Sequence, residues 1–356
     1  MKLNIQWKKV LYGITLIVIG IILAALHFIV GGNGIGNFIS SIIAVISVLV
    51  ILAGTYMTSS GIKNCKWKSL EKEDIMIGWC KYNYKHLCGD KFVKIISLVE
   101  NTIKSELKAK HGLSLYIETK KHKILFDLGP DKTLFENAVK RNIDISKVDT
   151  VIISHGHIDH GGALKSFLEV NSSAKIYVQR TAFEPHYSKT LFIKIPVGID
   201  AAIKGNKQIV LLDGDYKIDD ELLLFTVDKT NRFYSSVNDA LYDDKGKDQF
   251  RHEQNLVIFE NQTALIMGCG HAGVINIMEE AKKYSPDLCV GGYHLFNPLT
   301  KKTVSTELLK DIATELQKYK DTEFYTCHCT GEKAFDYLSH QMSNMHYISC
   351  GESVEI

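Results

Sequence analysis

The sequence predicts an α/β domain carried behind a transmembrane helical hairpin, and three observations predict it. Two uncharged apolar runs, Val10–Val30 and Phe38–Met57, occupy the first sixty positions. From about residue 93, short β-rich runs and amphipathic helical stretches take over. Near the middle, Ser154-His155-Gly156-His157-Ile158-Asp159-His160-Gly161-Gly162 packs four candidate metal ligands into six residues.

The apolar runs come first in the chain. They are 21 and 20 residues long, and about 20 residues at 1.5 Å rise span a hydrocarbon core of roughly 30 Å. A cleavable signal peptide has one shorter apolar segment, and a buried hairpin in a soluble core is the alternative structural reading. Lys2, Lys8 and Lys9 precede the first run, and Lys63, Lys66, Lys68 and Lys72 follow the second. The link Gly31–Asn37 has no charge, so both termini and the catalytic domain are expected in the cytoplasm of a multi-pass cell-membrane protein. His27 reads as an interfacial side chain. The connector, 59–92, contains Cys80, His86 and Cys88, which lack a clear fourth partner for a metal knuckle.

The remainder, 93–356, has the texture of a globular domain. At 356 residues, 46% apolar content and five prolines, the chain is neither disordered nor fibrous. A net charge of +2, from 42 basic and 40 acidic residues, gives no specific nucleic-acid signal. Eight unevenly spaced cysteines do not make a disulfide scaffold. Strands are predicted at 95–99, 115–119, 123–127, 150–154, 175–178, 222–227, 255–259, 263–267, 288–290 and 323–326. Helices are predicted at 132–141, 162–170, 274–283, 303–318 and 332–340. The strands first come in pairs and alternate with helices only later, unlike a Rossmann repeat, and no nucleotide-cradling loop follows a strand.

The chemistry concentrates after the strand that ends at Ile153. His155 and His157 are expected to reach one ion, and Asp159 and His160 a second. Gly161 and Gly162 let the chain pass close to the site. H-x-H-x-D-H behind a strand resembles the signature of the metallo-β-lactamase fold superfamily, whose fold is an αββα sandwich with metals at one edge. The resemblance extends over 93–356 through Val99-Glu100-Asn101, His111–Ser114, Ile117–Thr119 and Leu125–Gly129. It continues through Gly268–Gly273, Gly291–Leu295 and His328–Gly331. Together these resemble the branch named for dihydropterin-ribofuranosylaminobenzene phosphate synthase. The hairpin departs from that branch's soluble plan.

The resemblance implies further ligands. A third histidine is normal between the motif and a bridging Asp, yet 228–237 contains none. Gly268-Cys269 stands where the family has Gly-Asp, so His271 is the candidate replacement ligand and Cys269 a candidate bridge. A small cysteine at a strand end also simply packs. His252 is the alternative third histidine, with Glu253 and Gln254 read as strand-entry surface. His328 matches the family's last metal histidine, with Cys327 and Cys329 facing away as structural residues. His294 is expected to touch substrate, and Ser114 and Glu118, like Glu100 and Asn101, are candidates for the pocket wall. Asp127 is the candidate carboxylate behind a ligand histidine. Of the other histidines, His111 is the likeliest to join the site, while His122, His186, His340 and His346 read as structural.

Three imidazoles and a carboxylate suit Zn²⁺, with Mn²⁺ or Fe²⁺ as alternatives. Two ions sharing a water bring its pKa toward 7 and supply hydroxide, with Asp159 both ligand and orienter. The expected activity is therefore hydrolysis of a small-molecule substrate. A pterin-type synthase expelling pyrophosphate and a metal-binding sensor without turnover are the alternatives. The oligomeric state is not legible.

Overall fold

The computed structural model describes residues 15–19, 46, 93–190, 193–228 and 232–356. The chain divides into two units, Met1–Cys80 and Lys81–Ile356. In the first, Thr15–Ile19 is helical. Most of the two apolar runs and all of the connector, with Cys80, His86 and Cys88, lie outside the described residues. Among the described residues no helix is long and apolar enough to cross a membrane.

The second unit contains two seven-stranded sheets. The order in one is 353–355, 94–99, 114–118, 123–126, 150–152, 175–179 and 209–212; in the other it is 345–347, 323–326, 288–291, 263–266, 255–259, 222–225 and 216–217. Strand alternation decides the layers. Ile124, Phe126 and Ile152 face Leu224, Leu256, Ile266 and Val290 of the other sheet and form the central core. Leu125, Val151 and Ile153 point the other way, onto Leu134 and Ala138 of helix Thr133–Lys140 and Leu164 and Phe167 of helix Leu164–Val170. Helices Val274–Ala281, Thr306–Leu316 and Glu332–Gln341 cover the outer face of the second sheet. The result is an αββα sandwich. Each buried Leu, Ile or Phe contributes roughly 1.5–3 kcal/mol, so the three apolar layers hold the sheets face to face.

The parallel strands determine where the site forms. Lys123–Phe126, Thr150–Ile152 and Lys175–Gln179 run parallel in the first sheet. Thr263–Ile266, Leu288–Gly291 and Glu323–Thr326 run parallel in the second. The loops that leave their carboxyl ends carry Asp127, His155, Cys269, His271, His294 and His328. Side chains remote in sequence therefore meet at one sandwich edge.

The predicted strands and long helices are present with shifts of a few residues. The sequence pattern missed the hairpin Tyr187–Thr190/Ile193–Pro196, the edge strands Met345–Tyr347 and Ser353–Glu355, and several two- to four-residue strands. Edge strands are short and half-exposed, so they lack the apolar signature of the inner ones.

Candidate metal centre

Strand Thr150–Ile152 delivers Ser154 and His155 to the edge, and His157 caps the four-residue helix Ile158–Gly161. That single turn keeps Asp159 and His160 together, with Asp159 Oδ2 3.9 Å from His160 Nε2. From the opposite sheet, Gly268 lets the Cys269 loop pass against Ser154, because a Cβ at that position would collide with the Ser154 hydroxyl. His328 sits in a 3₁₀ turn at φ 51°, and Asp127 at φ 61°. Left-handed backbone is uncommon for such residues, and here it turns both side chains inward.

The hydrogen bonds assign four tautomers. The Ser154 hydroxyl donates to Asp127 Oδ2 at 2.7 Å and therefore accepts from His155 Nδ1 at 2.8 Å. His160 Nδ1 donates to Asp127 Oδ2 at 2.6 Å. His271 Nδ1 donates to Asn238 Oδ1 at 3.0 Å, and His328 Nδ1 donates to Asn101 Oδ1 at 3.0 Å. The two amides are oriented by their own N–H bonds to the carbonyls of His271 and His328. Each of the four rings, when neutral, thus presents a bare Nε2 lone pair to the interior.

Those lone pairs face one another. His155 Nε2 lies 3.3 Å from His271 Nε2, and His160 Nε2 lies 3.3 Å from His328 Nε2. With no proton between them such contacts are repulsive. Two ligands on a tetrahedral cation with 2.0–2.1 Å bonds stand about 3.3 Å apart, so the donor geometry fits a metal. His157 joins the first pair, with ligand atoms of His155, His157 and His271 all within 4.8 Å of one another. Cys269 Sγ lies 3.1 Å from His160 Nε2, and Asp159 Oδ2 lies 3.3 Å from His328 Nε2, completing the second group. Burial and the neighbouring imidazoles hold His155 well below the usual histidine range. Burial also depresses His157 and His271, leaving neutral rings suited to cations. For His160 burial opposes the charge, but the Asp127 and Asp159 carboxylates outweigh it and raise the pKa to about 9, so at neutral pH its Nε2 takes a proton that a bound cation would have to displace.

Glu253 and Gln254, read as surface by the sequence, and His252, its alternative third ligand, prove to hold the two loops together. His252, Glu253 and Gln254 are all buried, because the chain crosses beneath the site before strand Asn255–Phe259. His252 Nδ1 accepts the Gly156 N–H at 2.9 Å, so its proton is on Nε2, which donates to Asp248 at 3.1 Å. A protonated Nε2 offers the metals nothing, and His252 supports the motif loop instead. Asp248 also accepts from His186 Nδ1 at 2.9 Å. The Glu253 carboxylate accepts the N–H groups of His271 and Ala272 at 2.7 and 2.8 Å. Gln254 donates to the carbonyls of Ile153 and Tyr177 at 2.8 and 3.1 Å.

Other expectations need correction. Glu118 ends strand Ser114–Glu118 at its far end, paired with Lys94 across the sheet, and its carboxylate lies 3.9 Å from Lys123. Ser114 is fully buried and donates to the Asp127 carbonyl rather than lining a pocket. Glu100 accepts the His328 N–H at 2.6 Å, and Asn101 orients the ring, so both position His328. Cys329 does not face away: the strand ends at Thr326, and the 3₁₀ turn brings Cys329 beside Cys269 and His294. His111, half-exposed, sits with Nε2 3.4 Å from Asp159 Oδ2. Buried glutamate and asparagine with no local periodicity gave no signal for these supporting roles.

Residues 108–270 match the family model of the metallo-beta-lactamase superfamily. The chain belongs to this superfamily. An uncharacterised protein of Methanocaldococcus jannaschii is 30% identical over 263 residues, covering 73% of this chain and 98% of the relative. From the same organism, 7,8-dihydropterin-6-methyl-4-(beta-D-ribofuranosyl)-aminobenzene-5'-phosphate synthase is a distant homologue. It is 27% identical over 271 residues, covering 68% of this chain and 89% of its own. A solved metal-dependent hydrolase of the beta-lactamase superfamily aligns with a TM-score of 0.63 at 23% identity, covering 74% and 99% of the two chains. That likeness shows the shared fold. Members of the superfamily are generally metal-dependent hydrolases, and this domain's His and Asp clusters agree with divalent-metal binding.

Proposed function

We propose that this protein is a membrane-anchored hydrolase with a dinuclear centre, most suited to zinc. The observation that carries the reading is the pair of facing Nε2 contacts, His155 with His271 and His160 with His328. His155, His157 and His271 would hold one ion, and His160, His328, Asp159 and Cys269 the other. Two divalent cations would supply an activated water at neutral pH and an electrophilic grip on the substrate oxygen.

The chain's own groups do the rest. Asp127, Asn101, Asn238 and Ser154 keep protons on the four Nδ1 atoms and so keep every Nε2 free. Asp159 Oδ2, at the cavity floor, is placed to orient the attacking water. His111, 3.4 Å away at the half-exposed mouth, is placed to pass a proton to solvent. Burial and the His328 imidazole depress the His111 pKa to about 4, so at neutral pH its ring is uncharged. Similarity to the pterin synthase supports one second reading, group transfer at the same centre.

His157→Ala and Asp159→Ala are each expected to remove metal and turnover while far-ultraviolet circular dichroism stays native, because both lie on an edge loop. Activity is assayed on a panel of ester, lactone, thioester, β-lactam and phosphodiester substrates. A variant with full metal content and full turnover would sink the dinuclear reading; release of pyrophosphate from a joining reaction, without hydrolysis, would favour the synthase.

Anchoring and topology rest on the two apolar runs and their flanking lysines. A single cysteine placed in Gly31–Asn37, in a background without native thiols, should react with an impermeant maleimide on intact cells. One placed at Lys66 should stay unlabelled. Labelling at Lys66 alone would put the catalytic domain outside.

A further inference from the structure

A cavity of about 310 Å³ opens onto both candidate metal groups, touching His157 and His271 of one and Asp159 and Cys269 of the other. Its size is at the small end of the range for small-ligand sites, roughly 300–1,000 Å³. The walls are apolar: Ile195, Val197, Val237, Leu241, Phe296 and Leu299 supply most of them. Among the described residues no lysine or arginine lines it. Ile195 and Leu299 remain exposed at the rim, and Ile193 on the same strand is exposed as well. Exposed aliphatic side chains gathered at one mouth mark a place where apolar surface is to be covered.

Polar side chains interrupt the wall at His111, Ser188, Asn297 and His294. Both ring nitrogens of His294 are buried with no oxygen or nitrogen partner, and the Cys329 thiol lies close enough to interact with the ring. His294 is held at φ 49°, and its ring packs 4.1 Å from the His271 ring, centroid to centroid. A buried imidazole whose partner is a thiol gains when a ligand oxygen supplies a stronger hydrogen bond. The site therefore offers the His294 ring beside the metal floor, with hydrocarbon over most of the remaining wall.

Cations stand elsewhere. Lys301 and Lys333 line an adjoining cavity that shares His111, Phe296 and Pro298 with this one, together with Glu332. A phosphate group placed against Val197, Val237 and Leu241, away from the metal floor, would lose its water with no basic side chain beside it, which is unfavourable.

We infer that the cavity takes an uncharged acyl substrate, an ester, thioester or lactone with a hydrocarbon body, rather than a phosphorylated heterocycle; this rests on the hydrolase reading above. The carbonyl lies at the metal floor beside His294, and the chain lies along Val197, Leu241 and Leu299. In the reaction water adds to the carbonyl carbon and the bond from that carbon to the leaving oxygen or sulfur breaks. The water's proton ends on the leaving group, so no further reactant is needed.

The test uses the full-length, metal-reconstituted protein in detergent. Isothermal titration compares butanoate, hexanoate, octanoate and ribose 5-phosphate against matched micelles. Kinetics compare p-nitrophenyl esters of the same acids with bis(p-nitrophenyl) phosphate. Binding and kcat/KM are expected to rise about fourfold per added methylene until the cavity is full. Ile195→Asp and Leu299→Asp, at exposed positions that should not disturb folding, are expected to flatten that slope. Equal binding across the acids, tighter binding of ribose 5-phosphate, or an unchanged slope in both variants would overturn the inference. Phosphodiester turnover with no chain-length dependence would sink the acyl assignment and leave the hydrolase reading standing. Chain-length-dependent binding without turnover of any ester would do the reverse.

Discussion

His271→Ala is expected to lower the metal content from about two ions per chain to about one, and turnover by more than about 100-fold. His271 Nε2 faces His155 Nε2 at 3.3 Å, and its removal leaves only His155 and His157 for that ion. Catalytic zinc commonly takes three protein ligands, so a two-ligand site binds weakly. The backbone should not move, because Glu253 accepts the N–H groups of residues 271 and 272 whatever the side chain. Cys269→Ser should act more mildly, since a water or hydroxyl can replace the thiol beside His160. His252→Ala is the control, because its Nδ1 already accepts the Gly156 N–H. Metal analysis of the three purified variants decides the assignment. Two ions retained in His271→Ala and one lost in His252→Ala would move the ligand to His252.

Asp127→Asn is expected to leave the fold intact yet weaken the second ion by about 10- to 100-fold. Asp127 Oδ1 accepts the Ser154 N–H at 2.7 Å, and asparagine keeps an oxygen for that bond. Its new NH₂ then faces His160 Nδ1, where the carboxylate accepted a proton at 2.6 Å. Two donors cannot face each other, so the His160 proton moves to Nε2 and blocks the atom that faces His328. Asp127→Ala would instead leave the Ser154 N–H and the His160 N–H buried without partners, at a cost of about 1–3 kcal/mol each. Competition titration with a chelator measures the loss, and a thermal melt separates it from unfolding. Unchanged affinity in Asp127→Asn would show that the carboxylate does not control the His160 tautomer.

The sheets, the long helices and the metal-bearing loops were readable in the chain because their signals are local. Ile124 to Phe126 alternate between two apolar layers, and the motif puts His155, His157, Asp159 and His160 on one short loop. His328 was readable because it directly follows a strand. Glu253 was misread for a physical reason: a buried carboxylate has the same composition signal as a surface one until its partners are known. The same holds for Asn101, which is 227 residues from the ring it orients, and for Asn238, which is 33 from His271. Cys329 was misplaced because extended geometry was carried past Thr326, where the chain turns at His328 with φ 51°.

Residue identity and spacing alone thus decided the α/β texture, the motif's ligand types and the loop that holds them, since alternation and motif spacing act within a few residues, and the αββα class followed from the family resemblance that the motif carries. Only the tertiary structure decided which lone pairs face each other, which buried groups hold them there, and that the adjoining cavity is apolar. Those properties depend on protons and surfaces brought together from both sheets, and no local pattern records them.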